Sequence, residues 1–311
     1  MSAATLSAAP DPLPMRAPSR VWWGLEQVPA RPGPSVVAMG VFDGVHRGHA
    51  AVVAEAARLA GSRGVRSVVV TFHPHPAVVL GRRLEPDALV SVRRRTELLL
   101  QAGADDVLVL PFTHELAAEP SEAFAERVLR AALDCRGVVV GAGYRFGASG
   151  RGDTATLQRT LGPEATVVAV APVRREDERC SSTLARGLAA QGRVQALQEL
   201  LGRPHRVEVA VRRGDRLAVD EDGPRRGTGV DLDPLDAGAA RLAPGRYRAR
   251  VLPLGCDVGP VLDVDVLPSG AGPALRVLTG SAWVLAQRGP LAVDLLDRLD
   301  GATGPGGRRD T

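Results

Sequence analysis

The stretch GVFDGVHRGH, residues Gly40–His49, decides the fold of the N-terminal part of the chain. An apolar run, Ser35–Gly40, precedes it, and an Ala-rich segment with helical spacing, Gly48–Ala60, follows it, with Gly61 as the expected helix stop. The stretch is therefore predicted to leave a buried strand, turn at its glycines and enter a helix. Backbone N–H groups and the positive end of a helix favour bound anions, so a phosphate chain is the expected ligand.

Two histidines, His46 and His49, begin this helix three residues apart and are expected near one face of it. Side chains placed there can donate hydrogen bonds to phosphoryl oxygens whose charge grows in a transition state. Gly48 removes a Cβ atom where a nucleotide would approach closely. We expect both histidines to be exposed in a cleft.

Apolar, β-branched segments alternate with helical ones over the first 171 residues. The predicted strands are 35–40, 66–72, 106–110, 137–141 and 165–171, and the predicted helices are 48–60, 91–102 and 121–133. In the last helix, Ser121 is the expected N-cap and Phe124 is expected to face the core. The alternation is typical of an α/β fold with a parallel sheet covered on both faces. Ligands of such sheets bind beyond the carboxyl ends of the strands, so the site is expected at the loops after Gly40, Phe72, Leu110 and Gly141.

Beyond two short predicted helices, 183–190 and 193–201, the pattern changes to strands joined by Gly, Pro and Asp turns. The predicted strands are 207–211, 247–253, 261–267 and 274–278, and a helix is expected near Leu291–Leu299. These segments predict a small antiparallel β-barrel-like domain. The expected organisation is a disordered tail (1–20), an α/β domain (21–190), a helical linker (191–204), the β domain (205–301) and a second tail (302–311).

The composition is that of a globular protein, with 45% hydrophobic and 24% charged residues. A net charge of +4 is small for 311 residues. The runs Arg93–Arg95 and Arg174–Arg175 are short and are interpreted as solvated faces, so nucleic acid is not an expected partner. No apolar run is long enough to span a membrane, and the three cysteines show neither metal nor disulfide spacing. We expect a cytoplasmic protein; its oligomeric state does not follow from the sequence.

Five ordered blocks resemble the bacterial FAD synthetase module, which is usually half of a bifunctional riboflavin kinase/FAD synthetase. Besides GVFDGVHRGH they are TFHPHPAVVL (Thr71–Leu80), LVLPFTHELAAEPSEAF (Leu108–Phe124), GYRFGASGRGD (Gly143–Asp153), and SSTLAR (Ser181–Arg186) with LLGRPHRVE (Leu200–Glu208). The similarity covers about Val21–Glu208. It implies a Rossmann-like nucleotidylyltransferase domain followed by a kinase-derived β domain.

The resemblance implies adenylyl transfer, in which the phosphate of FMN attacks the α-phosphorus of ATP in line, FAD forms and pyrophosphate leaves. Such a reaction depends on positioning and charge neutralisation. By resemblance, His46 and His49 would stabilise the α-phosphoryl group and the departing oxygen. Arg186, with Ser182 and Thr183, would grip the β- and γ-phosphates. Mg²⁺ would bridge the phosphates, with no protein ligand assigned.

Further contacts are implied for both substrates. The nucleotide is expected to contact Gly40, Phe42, Asp43, Gly44 and Gly48, and the flavin is expected to contact His75, Pro76, Tyr144, Arg145 and Phe146. The His73–Pro76 segment, HPHP, offers only two metal ligands and has no carboxylate or Cys close by in sequence. A rigid loop near the flavin is therefore preferred over a metal site.

One departure from the family concerns Gly143, which stands where the family has the Asn of NFRFG; Tyr144 replaces the next Phe. The chain contains no Lys, Asn or Ile, whose codons are A/T-rich, and this indicates a GC-rich genome. Drift from Asn and weakened flavin or adenine binding therefore both remain open.

The C-terminal part begins like the riboflavin kinase module but lacks its signature. GRYRARVLPLG (Gly245–Gly255) resembles a strand of that module, and GPLAVDLLDRLDG (Gly289–Gly301) resembles its closing strand and helix. Asp215–Gly229 contains no Pro-Thr-Ala-Asn, and Arg276–Leu285 lacks the expected catalytic Glu. Codon bias does not explain the loss of Pro, Thr and Glu. We expect a barrel without kinase activity that packs on the first domain and shields its flavin face.

Three functions compete. The first is an FMN adenylyltransferase with a degenerate kinase domain. The second is an adenylyltransferase for another phosphorylated acceptor, and Gly143 motivates it. The third is a non-catalytic flavin- or nucleotide-binding regulatory protein, motivated by the decayed C-terminal part. The intact HxGH and SSTxxR motifs favour the two adenylyltransferase functions, because a protein that only binds a nucleotide does not need both phosphate-binding motifs.

Overall fold

A computed structural model of the chain describes residues 18–82, 87–175, 177–212, 219–220, 223–224, 229–236, 239–268, 274–278 and 281–300. The predicted tail 302–311, residues 1–17 of the predicted N-terminal tail, and most of the segment Asp215–Gly229 lie outside these ranges. Among the described residues, no helix is both long enough and apolar enough to cross a membrane.

Six described strands form a parallel sheet in the order β1-β4-β3-β2-β5-β6. They are β1 (Arg20–Trp23), β2 (Ser35–Met39), β3 (Arg66–His73), β4 (Asp106–Pro111), β5 (Cys135–Gly141) and β6 (Thr166–Val170). Strands buried on both faces are rich in valine, which is why they were visible as apolar runs. The α/β prediction is confirmed. Strand β1 was not predicted; it is an edge strand in which Trp22 is buried and Trp23 is exposed.

Helices cover both faces of the sheet. They are α1 (Arg47–Arg63), α2 (Pro76–Val79), α3 (Val92–Gln101), α4 (His114–Ala118), α5 (Ser121–Phe124, continued by a π-helical segment, Ala125–Ala132) and α6 (Thr154–Leu161). Apolar residues of α1 and α3 form one buried cluster with the sheet, and those of α5 and α6 form a second on the opposite face. The carboxyl ends of the strands therefore meet at one open edge, where the loops gather.

Two predicted helix boundaries are wrong. Helix α1 continues through Gly61 to Arg63 and ends at Gly64, which has φ 65° in the left-handed region. The terminating glycine is thus identified by its conformation, which the sequence alone does not reveal. Ser121 is the first residue of α5, and Pro120 occupies the N-cap position. Phe124 is buried, as predicted.

After a hairpin of β7 (Arg174–Arg175) and β8 (Glu178–Arg179), helices α7 (Ser182–Ala190) and α8 (Val194–Leu201) lead into a closed antiparallel barrel. The barrel order is β12-β15-β14-β13-β16-β9. Its strands are β9 (His205–Val211), β12 (Val230–Pro234), β13 (Gly245–Pro253), β14 (Val261–Leu267), β15 (Ala274–Val277) and β16 (Leu291–Arg298), with β10 (Val219–Asp220) and β11 (Gly223–Pro224) paired separately. The predicted barrel-like domain is confirmed.

The predicted helix near Leu291–Leu299 is wrong. This segment is the strand β16, which closes the barrel between β13 and β9. Its first five residues are all buried, so it shows no simple alternation of apolar and polar residues. The short helix of this region, α9 (Ser281–Ala286), precedes it.

The barrel is joined to the first domain beside α3. Glu208 of β9 accepts hydrogen bonds from Ser91 (2.8 Å) and from Arg93 (2.7 Å). Leu89 belongs to the same buried apolar cluster as α7, α8 and the barrel interior. The two parts therefore meet at the segment that leads into α3.

Candidate active site

The loop between β2 and α1, here called the β2–α1 loop (Gly40–His46), has an unusual backbone. Phe42, Gly44 and Val45 have φ values of 55°, 79° and 39°. A β-branched residue such as Val45 is rarely found in the left-handed region. A Cβ atom at Gly44 would lie 2.6 Å from Leu89 Cδ1, so glycine is needed there for space as well as for conformation. The loop is strained, and neighbouring contacts must hold it.

His46 is the N-cap of α1, because its Nδ1 accepts a hydrogen bond from the backbone N–H of His49 at 3.3 Å. A neutral imidazole that accepts at Nδ1 carries its proton on Nε2, so His46 keeps one N–H donor. Its ring stacks on that of His49 with centroids 3.6 Å apart. The expectation that both histidines are exposed is wrong for His46, which is only 4% exposed. His49 is partly exposed, although its Nδ1 is buried and has no hydrogen-bond partner among the described residues.

The surroundings keep both imidazoles neutral at pH 7. Burial lowers the pKa of His46 to about 4, and the cations Arg203 and Arg179 add to this effect. Burial also lowers the pKa of His49, with further contributions from His46 and Arg95. The histidines are therefore neutral hydrogen-bonding groups in a cationic environment.

A cavity of about 460 Å³, here called the loop cavity, opens at the carboxyl ends of β2, β5 and β6. The predicted site residues that line it are Gly40, Phe42, Asp43, His46, Gly48, His49, His75, Tyr144 and Ser182. Gly44, Thr183 and Arg186 are not among its lining residues. Arg179, Cys180 and Ser181, which were not predicted, also line it.

Gly48 has a different neighbour from the one expected. A Cβ atom built on it would lie 3.1 Å from Cε1 and Nδ1 of the His46 ring. Glycine at this position therefore leaves room for the capping imidazole. Gly48 would therefore affect a bound nucleotide indirectly, by allowing the His46 ring to occupy its position.

Asp43 links the β2–α1 loop to α7 and to the entry of α3. Its carboxylate pairs with Arg186 (Nη1 to Oδ2, 2.7 Å) and accepts from the backbone N–H of Leu89 at 3.0 Å. Its carbonyl oxygen accepts a hydrogen bond from Ser182 Oγ at 2.8 Å. The structure thus brings Arg186 and Ser182 of the SSTxxR motif onto the loop, with Arg186 held by a carboxylate.

A second cavity of about 330 Å³, here called the aromatic cavity, lies beside the first. Of the residues predicted for the flavin, Pro76, Tyr144, Arg145 and Phe146 line it, whereas His75 lines the loop cavity. Its aromatic members are Phe72, Phe112, Phe124, Tyr144 and Phe146. Val41 and Tyr144 line both cavities, so the two spaces share a wall. No described barrel residue lines the aromatic cavity, in contrast to the expectation that the barrel shields that face.

Arg95 of α3 lies under this shared wall and was not predicted. Its Nη1 donates to Val41 O (3.0 Å), Phe72 O (2.9 Å) and Thr71 Oγ1 (3.2 Å). The interpretation of Arg93–Arg95 as a solvated face is wrong for Arg95, which is 2% exposed. Helical spacing could have predicted its burial, because Arg95 precedes the buried Leu98 and Leu99 by one turn and lies on the same face of the helix.

Gly143 lies in the wall of the loop cavity with φ 78°, a conformation that glycine accepts freely and Asn tolerates better than most residues. No heavy atom lies within 4 Å of a Cβ built there. The position therefore has room for the side chain that the resemblance predicts.

No group of three or more His, Cys, Asp or Glu in the described part of the chain is placed to hold a metal ion.

Comparison with known proteins now identifies the family. The model of the FAD synthetase family matches residues 28–184. The chain belongs to the FAD synthetase family.

Two curated relatives of this FAD synthetase family member carry the name bifunctional riboflavin kinase/FMN adenylyltransferase. The protein from Listeria monocytogenes is 33% identical over 182 residues and that from Bacillus subtilis 32% over 183, each match covering 58% of this chain and 58% of the relative. The match thus spans less than two thirds of each relative. A crystal structure of a macrolide-efflux protein from Streptococcus pneumoniae is 22% identical, with a TM-score of 0.74 over 90% of both chains, and shows that the two-part fold recurs there.

Proposed function

We propose that the chain is an FMN adenylyltransferase that transfers AMP from MgATP to FMN. A phosphate oxygen of FMN attacks the α-phosphorus of ATP, the bond from that phosphorus to the β-phosphate oxygen breaks, and FAD and pyrophosphate are the products. The observation that carries the proposal is the pair of neutral histidines at the start of α1, in a cavity that shares a wall with an aromatic one. The name of the curated relatives supports the same reaction.

The two cavities suit the two substrates. The aromatic cavity, with five aromatic side chains in its wall, offers the stacking and edge contacts that a flat isoalloxazine ring requires. The loop cavity offers the start of α1 and the Arg179 cation to a triphosphate. FMN seated in the first would direct its phosphate past Val41 and Tyr144 towards the second. The attacking oxygen would then lie beside the histidines.

The histidines supply hydrogen bonds rather than proton transfer in this proposal. His46 presents an Nε2–H donor, since its Nδ1 is occupied by the backbone N–H of His49. His49 has a buried nitrogen that lacks a partner among the described residues. Donors placed before the reaction begins stabilise the growing charge on the α-phosphoryl oxygens without reorganisation. Mg²⁺ enters as part of the MgATP substrate, because magnesium is coordinated largely by phosphate oxygens.

The barrel is proposed to lack riboflavin kinase activity. The absence of Pro-Thr-Ala-Asn from Asp215–Gly229 and of a Glu from Arg276–Leu285 supports this. The barrel fold is present although the kinase motif is missing from its sequence. A fold alone does not imply an activity, since the activity depends on the residues of the site.

The proposed function is tested with the full chain and MgATP in two reactions. With FMN, FAD and pyrophosphate are expected; with riboflavin, no FMN is expected. His49→Ala should slow FAD formation by about 10²–10³-fold, whereas His114→Ala, which changes an exposed histidine of α4, should leave the rate unchanged. FMN formed from riboflavin would contradict the kinase part of the proposal. Adenylylation of another phosphorylated acceptor in preference to FMN would favour the alternative suggested by Gly143.

A further inference from the structure

Arg203 joins α8 to the first barrel strand and contacts the β2–α1 loop. Its Nη2 donates to Gly44 O at 2.6 Å, and its Nη1 donates to Val45 O at 3.0 Å and to Leu201 O at 3.1 Å. The planar guanidinium therefore spans two successive carbonyl groups of the loop, which a lysine ammonium does not reproduce.

The part of the loop that Arg203 contacts is strained. Gly44 and Val45 both have positive φ, and Val45 is β-branched. Glycine adopts positive φ freely, but a β-branched residue does so only where the surroundings fix it, so the strain lies at Val45. Val45 immediately precedes His46, so the conformation of this turn determines where the His46 ring lies.

The Arg203 side chain is partly buried, and the three hydrogen bonds described for its guanidinium all go to backbone carbonyl groups. No described Asp or Glu forms a salt bridge with it. Burial lowers the pKa of Arg203 to about 10, with the cations Arg94 and Arg206 adding to the effect and the Asp294 carboxylate opposing it, so the group stays protonated at pH 7. A partly buried cation whose described partners are all carbonyl groups is costly to maintain.

The backbone of Arg203 is fixed by the barrel. Gly202 caps α8 with φ 75°, and β9 begins two residues after Arg203. Strand β9 pairs with β12 and β16, and Glu208 on β9 accepts hydrogen bonds from Ser91 and Arg93 of the first domain. The position of the guanidinium is therefore set by barrel packing.

We propose that Arg203 is a positioning residue for adenylyl transfer, through which the barrel holds the Gly44–Val45 turn so that His46 presents Nε2–H to the α-phosphoryl group. This inference rests on the proposed function. It gives the barrel a part in the first reaction that does not depend on a kinase motif.

The test compares Arg203→Met, Arg203→Lys and a matched control, Arg206→Met, in the full chain. Arg206 lies on β9, three residues after Arg203. It pairs with Asp294 of β16 within the barrel, with Nε 2.6 Å from Oδ1 and Nη2 2.8 Å from Oδ2. Three properties are measured: the NMR titration of His46, the affinity for MgATP, and kcat and KM for FAD formation. Urea unfolding of each variant reports its stability.

For Arg203→Met, kcat is expected to fall by about 10²-fold, the usual effect of misplacing a catalytic group by about 1 Å. The KM for FMN should not change, because no described barrel residue lines the aromatic cavity. The His46 titration should move to higher pH, since a neighbouring cation is removed and the turn loosens. Arg203→Lys should show a smaller loss of kcat. Arg206→Met should lower stability while leaving kcat and the His46 titration at wild-type values.

Wild-type kcat and His46 titration in Arg203→Met would overturn the inference, as would equal losses of kcat in Arg203→Met and Arg206→Met. If Arg203→Met does not fold, Arg203→Lys decides: reduced kcat at unchanged KM supports positioning, and wild-type kcat contradicts it. If the wild-type chain forms no FAD, the proposed function fails. The His46 titration and MgATP affinity of the same variants then still decide whether Arg203 holds the loop.

Discussion

The Arg186 guanidinium pairs with the Asp43 carboxylate across 2.7 Å, and only 10% and 2% of these two side chains are exposed. The family resemblance assigns Arg186 to the ATP phosphates, whereas the structure places it against the β2–α1 loop. Asp43 also accepts from the Leu89 N–H. The ion pair therefore fixes the loop to α7.

Removing Arg186 is expected to destabilise the fold. Arg186→Met should lower the free energy of unfolding by about 3–5 kcal/mol, because it removes the partner of a buried carboxylate. Asp43→Asn should be similarly costly, and the double variant should cost less than the sum, as measured by urea unfolding. Arg127→Met is the control, since its partly exposed pair with Glu119 should contribute about 0–1 kcal/mol. Unchanged stability in Arg186→Met, with loss of MgATP affinity alone, would show that Arg186 serves the phosphates only.

Substitution of either histidine should lower activity, but only substitution of His46 should also lower the stability of the fold. His46→Ala and His49→Ala should each lower kcat by about 10²–10³-fold, the usual loss for one transition-state donor. His46→Ala should also lower the free energy of unfolding by about 1 kcal/mol, because it removes the N-cap of α1. Steady-state kinetics and urea unfolding measure the two effects. High residual kcat in an unstable His46→Ala protein would mean that His46 is purely structural.

Stability should fall as the pH drops below 6.5. Burial lowers the pKa of His46 and His205 from 6.5 to about 4. Between these values the unfolded chain binds more protons than the folded one, so the contribution is complete above pH 6.5 and is lost towards pH 4. Each histidine contributes up to about 3 kcal/mol. Urea unfolding at several pH values measures the slope.

His205→Phe provides the matched variant for this pH dependence. It should flatten the slope of stability against pH, since a phenyl ring does not take up a proton. His114→Ala, at an exposed position, should leave the slope unchanged. The same slope in all three proteins would refute the assignment to the buried histidines.

Gly143→Asn should change the KM for ATP and leave the KM for FMN unchanged. Gly143 lines the loop cavity and is absent from the wall of the aromatic cavity, and a side chain there meets open space. One added hydrogen bond is worth about 1 kcal/mol, so the KM for ATP should fall by about 5-fold at unchanged KM for FMN. Gly143→Ala, without the amide, should show no such gain. A lower KM for FMN alone would place the amide contact on the flavin.

Local sequence pattern predicted most of the strands in both parts of the chain. Strands such as Ser35–Met39 and Val261–Leu267 appeared as apolar or alternating runs because one or both of their faces are covered. The loop GVFDGVHRGH predicted the site because its glycines, its histidines and the following helix all act locally. Most of the predicted nucleotide-site residues accordingly line one cavity.

The features that were not predicted from the sequence depend on packing between distant parts of the chain. The apolar positions of Leu291–Arg298 fit a helix as well as a strand, and barrel closure selects the strand. Arg93 and Arg95 are two residues apart on α3, and the helical rotation between them sends one to solvent and the other to the core. Arg203 lies within the LLGRPHRVE block, but its contacts with Gly44 and Val45 cross almost 160 residues of sequence.

In the proposed reaction, AMP passes from ATP to the phosphate of FMN at the two histidines. The most direct measurement incubates the full chain with FMN and MgATP radiolabelled at the α-phosphate, with His49→Ala in parallel. We expect the label to appear in FAD, pyrophosphate to form in equal amount, and His49→Ala to form both about 10²–10³-fold more slowly. Binding of ATP and FMN by the wild-type chain without labelled FAD would contradict it.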